Sequence, residues 1–215
     1  MESRSPRRER EVKLLLDSEE DYQRLLARLP GPEGEFEQQN SYWDRPDGTL
    51  EAQGFLLRLR IEGERALVTV KGGARHDESG IFEALEDEEE VDATLAAEVI
   101  EGKRALTDLA LPVLGRLAER AGSIEDLCCW GVLHNRRCRY RLADGLVAEV
   151  DRTSYPGGEV VWEVEVESED PALARERIVA ILEGAKLRYR PATETKSERL
   201  HRTLRGRGGG GGGGP

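Results

Sequence analysis

Ionic or polar residues recur at every second position in several stretches of this chain. Glu9, Glu11 and Lys13 stand in "REREVKLLL" (8–16), Arg58 and Arg60 in "FLLRLRIE", and Thr69 and Lys71 in "ALVTVKG". Glu149 and Asp151 follow in "VAEVDR", and Glu163, Glu165 and Glu167 in "VVWEVEVE". Successive side chains of an extended strand point to opposite faces, so each set shares one face. The residues between them, such as Val12 and Leu14 or Leu57, Leu59 and Ile61, are apolar. Carboxylates that face one another attract divalent cations, and hard oxygen ligands suit Mg2+ or Mn2+. Facing arginines and lysines attract phosphate, with arginine supplying a fork that matches its oxygens. A confined space lined by both suits a metal-bound polyphosphate.

An antiparallel sheet with helices on one side and water on the other shows the same alternation. Two features point instead to a closed lumen. Some strands are wholly basic and others wholly acidic on the ionic face, whereas a surface tuned for solubility mixes signs. Closing the sheet also removes vulnerable edges. Charges inside such a lumen must be compensated, because an unpaired buried charge costs several kcal/mol.

The elements that must position these residues follow from periodicity and punctuation. Strands are expected near 8–16, 35–44, 55–62, 65–72, 81–91, 127–142, 145–152 and 159–167, with hairpin turns at "EGER" and "ADG" (143–145). A helix follows Ser18 as N-cap, with Tyr22, Leu25, Leu26 and Leu29 on one stripe. A second helical region covers 92–101 and 107–121, and Pro112 either kinks it or marks a start. In "EDPALARERIVAILEG", Asp170 caps a helix, Pro171 takes its first position and Gly184 stops it. A last helix runs through "TETKSERLHRTL", and the glycine-rich tail 206–215 is expected to be disordered. Residues 1–205 read as one α+β domain built on an antiparallel sheet of about eight strands.

The 215 residues are 38% hydrophobic and 35% charged, against roughly 25% charged in typical soluble domains. That excess needs a large wet surface or a charged interior. The net charge of −11 argues against binding nucleic acid or an anionic membrane surface. No apolar run approaches the roughly 20 residues that span a bilayer. The opening "MESRSPRRER" lacks the apolar stretch of a secretory signal, and Cys128, Cys129 and Cys138 read as reduced thiols, so a cytoplasmic protein is expected. His76, His134 and His201 form no metal-ligand spacing, Cys128 and Cys129 read as small buried residues, and no Walker-type phosphate loop is present. Trp43, Trp130 and Trp162 read as packing residues, Trp43 with the option of bordering a tunnel mouth.

Glu9-x-Glu11-x-Lys13 resembles the ExExK signature of the CYTH superfamily, also called triphosphate tunnel metalloenzymes. The similarity continues through "NSYWDRPDGTL" (40–50), "LLRLR" (56–60), "VTVKG" (68–72), "LEDEEEV" (85–91), "AEVDRTSY" (148–155), "WEVEVE" (162–167) and Lys196. This succession spans nearly the whole chain and looks closest to plant-type tripolyphosphatases. The resemblance implies a closed eight-stranded antiparallel barrel with helices outside, hydrolysing inorganic triphosphate to pyrophosphate and orthophosphate with Mg2+ or Mn2+. Glu9, Glu11, Asp151, Glu163 and Glu165 would hold the metal, with Glu149 a weaker candidate. Lys13, Arg58, Arg60, Lys71, Arg137 and Lys196 would grip the phosphates, and Glu9, Glu11 and Lys13 are the catalytic candidates. The chain departs from the pattern at "IFEALEDEEE", which lacks a basic residue before its acidic run. There Glu86 and Glu88 are assigned to the lumen, and Arg75 is an alternative source of the missing phosphate contact. Adenylate cyclase, thiamine triphosphatase and a non-catalytic polyphosphate-binding module are the competing readings. The expected partner is a small triphosphate, and the expected state a monomer or weak dimer.

Overall fold

The computed structural model describes residues 6–142 and 145–208. The chain runs β1 (Arg7–Leu16), α1 (Glu19–Arg28), β2 (Gly34–Asp44), α2 (Thr49–Ala52), β3 (Phe55–Glu62), β4 (Arg65–His76) and β5 (Ile81–Asp92). It continues α3 (Ala93–Ile100), α4 (Pro112–Ala121), β6 (Cys128–Arg141), β7 (Val147–Ser154), β8 (Val160–Glu167), α5 (Pro171–Gly184), β9 (Tyr189–Pro191) and α6 (Lys196–Gly208). Eight antiparallel strands pair in the order β5-β4-β3-β2-β6-β7-β8-β1, and β5 returns to β1 to close the ring. Closure leaves the eight strands almost without free edges. β5 pairs with Arg7–Val12, and β9 adds to the same edge of β1 at Leu14–Leu16.

The hydrophobic core lies outside the barrel wall. α1 and α5 lay Tyr22, Leu25, Ile178 and Leu182 over Val12, Leu14, Val150, Val164 and Val166 of β1, β7 and β8. α3 and α4 lay Val99, Val113, Leu114 and Leu117 over Leu57, Leu59, Val68 and Val70 of β3 and β4. Each of these side chains, fully buried, contributes about 1.5–3 kcal/mol. With every second strand residue spent on the helices, the ionic residues have only the lumen left to face. α6 stands over one end, where Leu200 packs with Tyr42, Leu133 and Tyr155. A Cβ at Gly131 would lie 2.8 Å from Leu200 Cδ2, so a larger residue there would displace the Leu200 side chain.

Local signals place most boundaries. Ser18 Oγ accepts from Asp21 N at 3.1 Å, and Asp170 Oδ1 accepts from Leu173 N at 3.0 Å. Gly63, at φ 60°, turns β3 into β4 in a two-residue hairpin. Pro112 begins α4 rather than kinking it, and a 3-10 turn at Leu106–Leu109 precedes it.

Several expectations need correction. Cys128 and Cys129 are exposed, because β6 begins at the barrel rim opposite Trp43 and Asp44, beyond the helices' cover. Gly184 is the last residue of α5, and the left-handed residue that ends the turn is Lys186, at φ 54°. α6 continues to Gly208, three residues into the segment expected to be disordered, while 209–215 lie outside the described residues. Residues 143–144 of the expected "ADG" turn also lie outside them.

Candidate functional site

The barrel encloses a cavity of about 870 Å³ lined by Glu9, Glu11, Lys13, Arg58, Arg60, Lys71, Glu86, Glu88, Arg137, Glu149, Glu165 and Lys196, among others. One wall, formed by β1, β6, β7 and β8, is a lattice of compensated charge. Asp151, Glu163 and Glu165 bring carboxylate oxygens within 4.8 Å of one another. Lys196 Nζ reaches into this trio from α6, 2.9 Å from Asp151 Oδ2 and 2.8 Å from Glu165 Oε1, and it also contacts Glu163. Lys13 Nζ bridges Glu11 at 2.9 Å and Glu165 at 2.8 Å. Arg137 makes a two-pronged bond to Asp151, with Nε donating at 2.8 Å and Nη2 at 2.5 Å. Its Nη2 also donates to Glu165 at 2.7 Å, and its Nη1 to Glu149.

The carboxyls respond differently to this setting. Burial raises the pKa of Asp151, but Arg137 and Lys196 more than reverse it and hold it at about 2. Glu165 is likewise lifted by burial and then drawn well below the usual range by Lys13, Lys196 and Arg137. For Glu163 burial wins over Lys196, and its carboxyl is pushed up. Asp151 and Glu165 are thus firmly ionised, and Glu163 is the member of the trio most ready to take a proton.

A second pair of carboxylates extends the wall. Glu9 accepts from Lys71, and Lys71 Nζ lies 3.7 Å from Glu86. Glu86 also pairs with Arg7 at 2.9 Å. Glu88 accepts from Thr69 Oγ1 at 2.8 Å on the same face. Their neighbours Asp87 and Glu89 point the other way, to Arg116 and to the Val113 N–H of α4. The acidic run therefore has the register assigned to it from sequence.

The opposite character appears on β3. Arg60 is half-buried, and its Nε donates to Asn40 Oδ1 at 2.9 Å; no carboxylate lies within ion-pair distance of it among the described residues. Arg58 reaches Thr69 Oγ1 at 3.2 Å and Glu88 only at 4.0 Å, and its buried Nε has no hydrogen-bond partner among the described residues. Burial, reinforced by Arg58 and Arg137, pushes the Arg60 guanidinium down to about 10. Guanidinium groups held in a lumen with little counter-charge have donors left for an anion.

The residues assigned from sequence to metal or phosphate, Arg75 excepted, sit on or beside this lumen. Arg75 is exposed and donates to Glu83 at 2.7 Å. Sequence reading missed Arg139, which pairs with Glu149 at 2.8 Å and whose spacing of two from Arg137 was the available signal. It also missed Asn40 and the buried chain in which Thr153 donates to Asn135, and Asn135 to Gln38. Uncharged residues carry no ionic signature. Trp43 and Trp130 line the cavity, and His201, stacked on Trp130 with centroids 4.8 Å apart, lines it too. Trp162 packs outside against the α1 and α5 layer.

The donor set of Asp151, Glu163 and Glu165 fits a hard divalent ion: three carboxylates, no softer ligand, and oxygens close enough to share one centre. Glu9 and Glu11 stand outside that trio, each tied to a lysine.

Fold and lumen together define a closed antiparallel barrel with an ionic tunnel. Residues 7–200 match the CYTH domain family, and the chain belongs to it. Among solved structures it resembles HpAC1 of Hippeastrum, a proposed adenylyl cyclase described as having a dominant triphosphatase activity. The two are 26% identical, with a TM-score of 0.85 over 91% of this chain and 96% of that one. A proposed adenylate cyclase of Bacillus halodurans is 24% identical, with a TM-score of 0.70 over 90% of this chain and 98% of that one. PH1819 of Pyrococcus horikoshii shares the fold at 18% identity and a TM-score of 0.59, over 90% of this chain and 99% of that one. A comparison with curated proteins found no match. No helix among the described residues is long and apolar enough to cross a membrane.

Proposed function

We propose that this protein hydrolyses inorganic triphosphate to pyrophosphate and orthophosphate in a metal-dependent reaction inside the barrel. The observation that carries this reading is the division of one cavity into an acidic wall and the under-compensated pair Arg58 and Arg60. The resemblance to HpAC1 supports it.

Asp151, Glu163 and Glu165 would hold Mg2+ or Mn2+, which when bound neutralises phosphate charge and polarises water. Arg58 and Arg60 bind the anionic chain, and Lys13, Lys71, Arg137 and Lys196 fix its remaining oxygens once it enters. Hydrolysis of a phosphoanhydride needs mainly such positioning and charge stabilisation. Water attacks the terminal phosphorus, the bond to the bridging oxygen breaks, and pyrophosphate departs. Glu9 and Glu11 orient that water and accept its proton. The barrel wall and α6 limit solvent access, which strengthens each of these interactions.

The test pairs a substrate panel with one double variant. Tripolyphosphate, ATP, thiamine triphosphate and pyrophosphate are each assayed with Mg2+ and Mn2+, and tripolyphosphate should be cleaved fastest. Cyclic nucleotide formed from ATP would move the assignment to a cyclase, and binding without turnover would move it to a receptor. Glu9→Ala with Glu11→Ala should abolish metal-dependent phosphate release. The variant should stay folded, because Lys71 keeps Glu86 at 3.7 Å and Lys13 keeps Glu165 at 2.8 Å. Full activity in that variant would refute the site.

A further inference from the structure

Cross-strand register explains why Arg58 and Arg60 differ from Lys13, Lys71, Arg137 and Arg139. Lys13 faces Glu165, Lys71 faces Glu86, Arg137 faces Asp151 and Arg139 faces Glu149 directly across neighbouring strands. Side chains directly opposite on antiparallel strands are the ones that meet. Arg58 instead lies between Tyr42 on β2 and Thr69 on β4, and Arg60 between Asn40 on β2 and Leu67 on β4. All four flanking residues are uncharged, in a lumen where carboxylates are the commonest neighbour.

Within this neutral frame Asn40 has a particular geometry. It is 2% exposed, and its Oδ1 takes the Nε–H of Arg60 at 2.9 Å. Nε is the one guanidinium donor that lies nearest the strand, so the two amino ends stay directed at the cavity that Arg60 lines. An amide oxygen orients the group without cancelling its charge. An aspartate at the same place would do both, as Asp151 does for Arg137 at 2.8 Å and 2.5 Å.

We propose that Asn40 is a positioning residue, whose neutral amide fixes Arg60 by its Nε and reserves the guanidinium charge for a bound polyphosphate. The proposal rests on the triphosphate reading above and adds the residue that keeps its anion receptor vacant. The lumen would otherwise neutralise itself, because a carboxylate beside Arg60 competes with phosphate for the same donors.

Calorimetric titration of the full chain with tripolyphosphate in EDTA separates charge from geometry without any turnover. Asn40→Asp should weaken binding about tenfold or more, the loss expected when a charge-assisted bond must be displaced. Its melting temperature should hold or rise, since a new ion pair replaces a neutral bond. Asn40→Ser, neutral but too short to reach Nε, should weaken binding by only about threefold, clearly less than Asn40→Asp. Arg60→Met should bind as weakly as Asn40→Asp, and combining the two should add nothing to Arg60→Met alone. Should Asn40→Asp fail to fold, Leu67→Glu delivers a carboxylate from the opposite flank and should cause the same loss, with Leu67→Gln as its neutral control. Weak binding by Arg60→Met with normal binding by Asn40→Asp or Leu67→Glu would overturn the proposal and leave the triphosphate site standing. Equal defects in Asn40→Asp and Asn40→Ser would also overturn it, since charge would then not be the cause. Normal binding by Arg60→Met would overturn both.

Discussion

Arg137→Met is the sharpest test of how the acidic wall is held together. Arg137 is 5% exposed and bonds Asp151, Glu165 and Glu149 at once. Removing one partner of a buried ion pair typically costs about 3–5 kcal/mol, because the other is left uncompensated. Here Lys196 still reaches Asp151 and Glu165, and Arg139 still reaches Glu149, so the lower end, about 3 kcal/mol, is expected. For a chain of 215 residues that corresponds to a melting temperature lower by about 6–12 °C. The loss should depend on pH. Asp151 sits at about 2 in the folded protein against an ordinary 3.8, so its contribution is present above the ordinary value and is lost as pH falls through the folded one. The gap between wild type and variant should therefore be widest near neutrality and should close as pH drops from about 4 to about 2. Millimolar Mn2+ should restore part of the stability by supplying the missing positive charge. Urea midpoints measured across pH, with and without Mn2+, read out all three effects. A gap below about 1 kcal/mol, or one independent of pH, would refute the account of this wall.

Two further outcomes follow from α6. Lys196 Nζ occupies the three carboxylates best suited to a divalent ion, so Lys196→Met should tighten Mn2+ binding by about tenfold or more, measured by electron paramagnetic resonance; unchanged or weaker affinity would contradict competition between the ammonium and the metal. Leu200 is fully buried at the barrel end, and Leu200→Ala should cost about 2–5 kcal/mol of α6 docking, seen as faster amide exchange in Lys196–Gly208 with the barrel strands unchanged. Exchange no faster than in wild type would show that Leu200 does not hold the helix.

The strands and their faces were legible because period-two alternation is a local property. All eight barrel strands were found within a few residues, as were the capped helices α1 and α5. The ends escaped: β4 runs to His76, four residues past expectation, and β9 is too short to carry a pattern. Among residues that face the barrel interior, the ionic ones were visible by charge and spacing, whereas Asn40, Gln38 and Asn135 were not. Their importance lies in what they face, and a single strand does not record that.

The sequence by itself therefore determined which residues share a face and which face must be hidden, since those depend only on backbone geometry and the cost of wetting apolar side chains. Tertiary structure decided who meets whom. Ring closure by β5 on β1 set Glu86 and Lys71 beside Glu9, and α6 carried Lys196 onto carboxylates 45 and 31 residues away. The β2–β3 register placed an amide rather than a carboxylate against Arg60. Charge compensation acts over a few ångströms in space, and only the closed barrel brings those partners within that range.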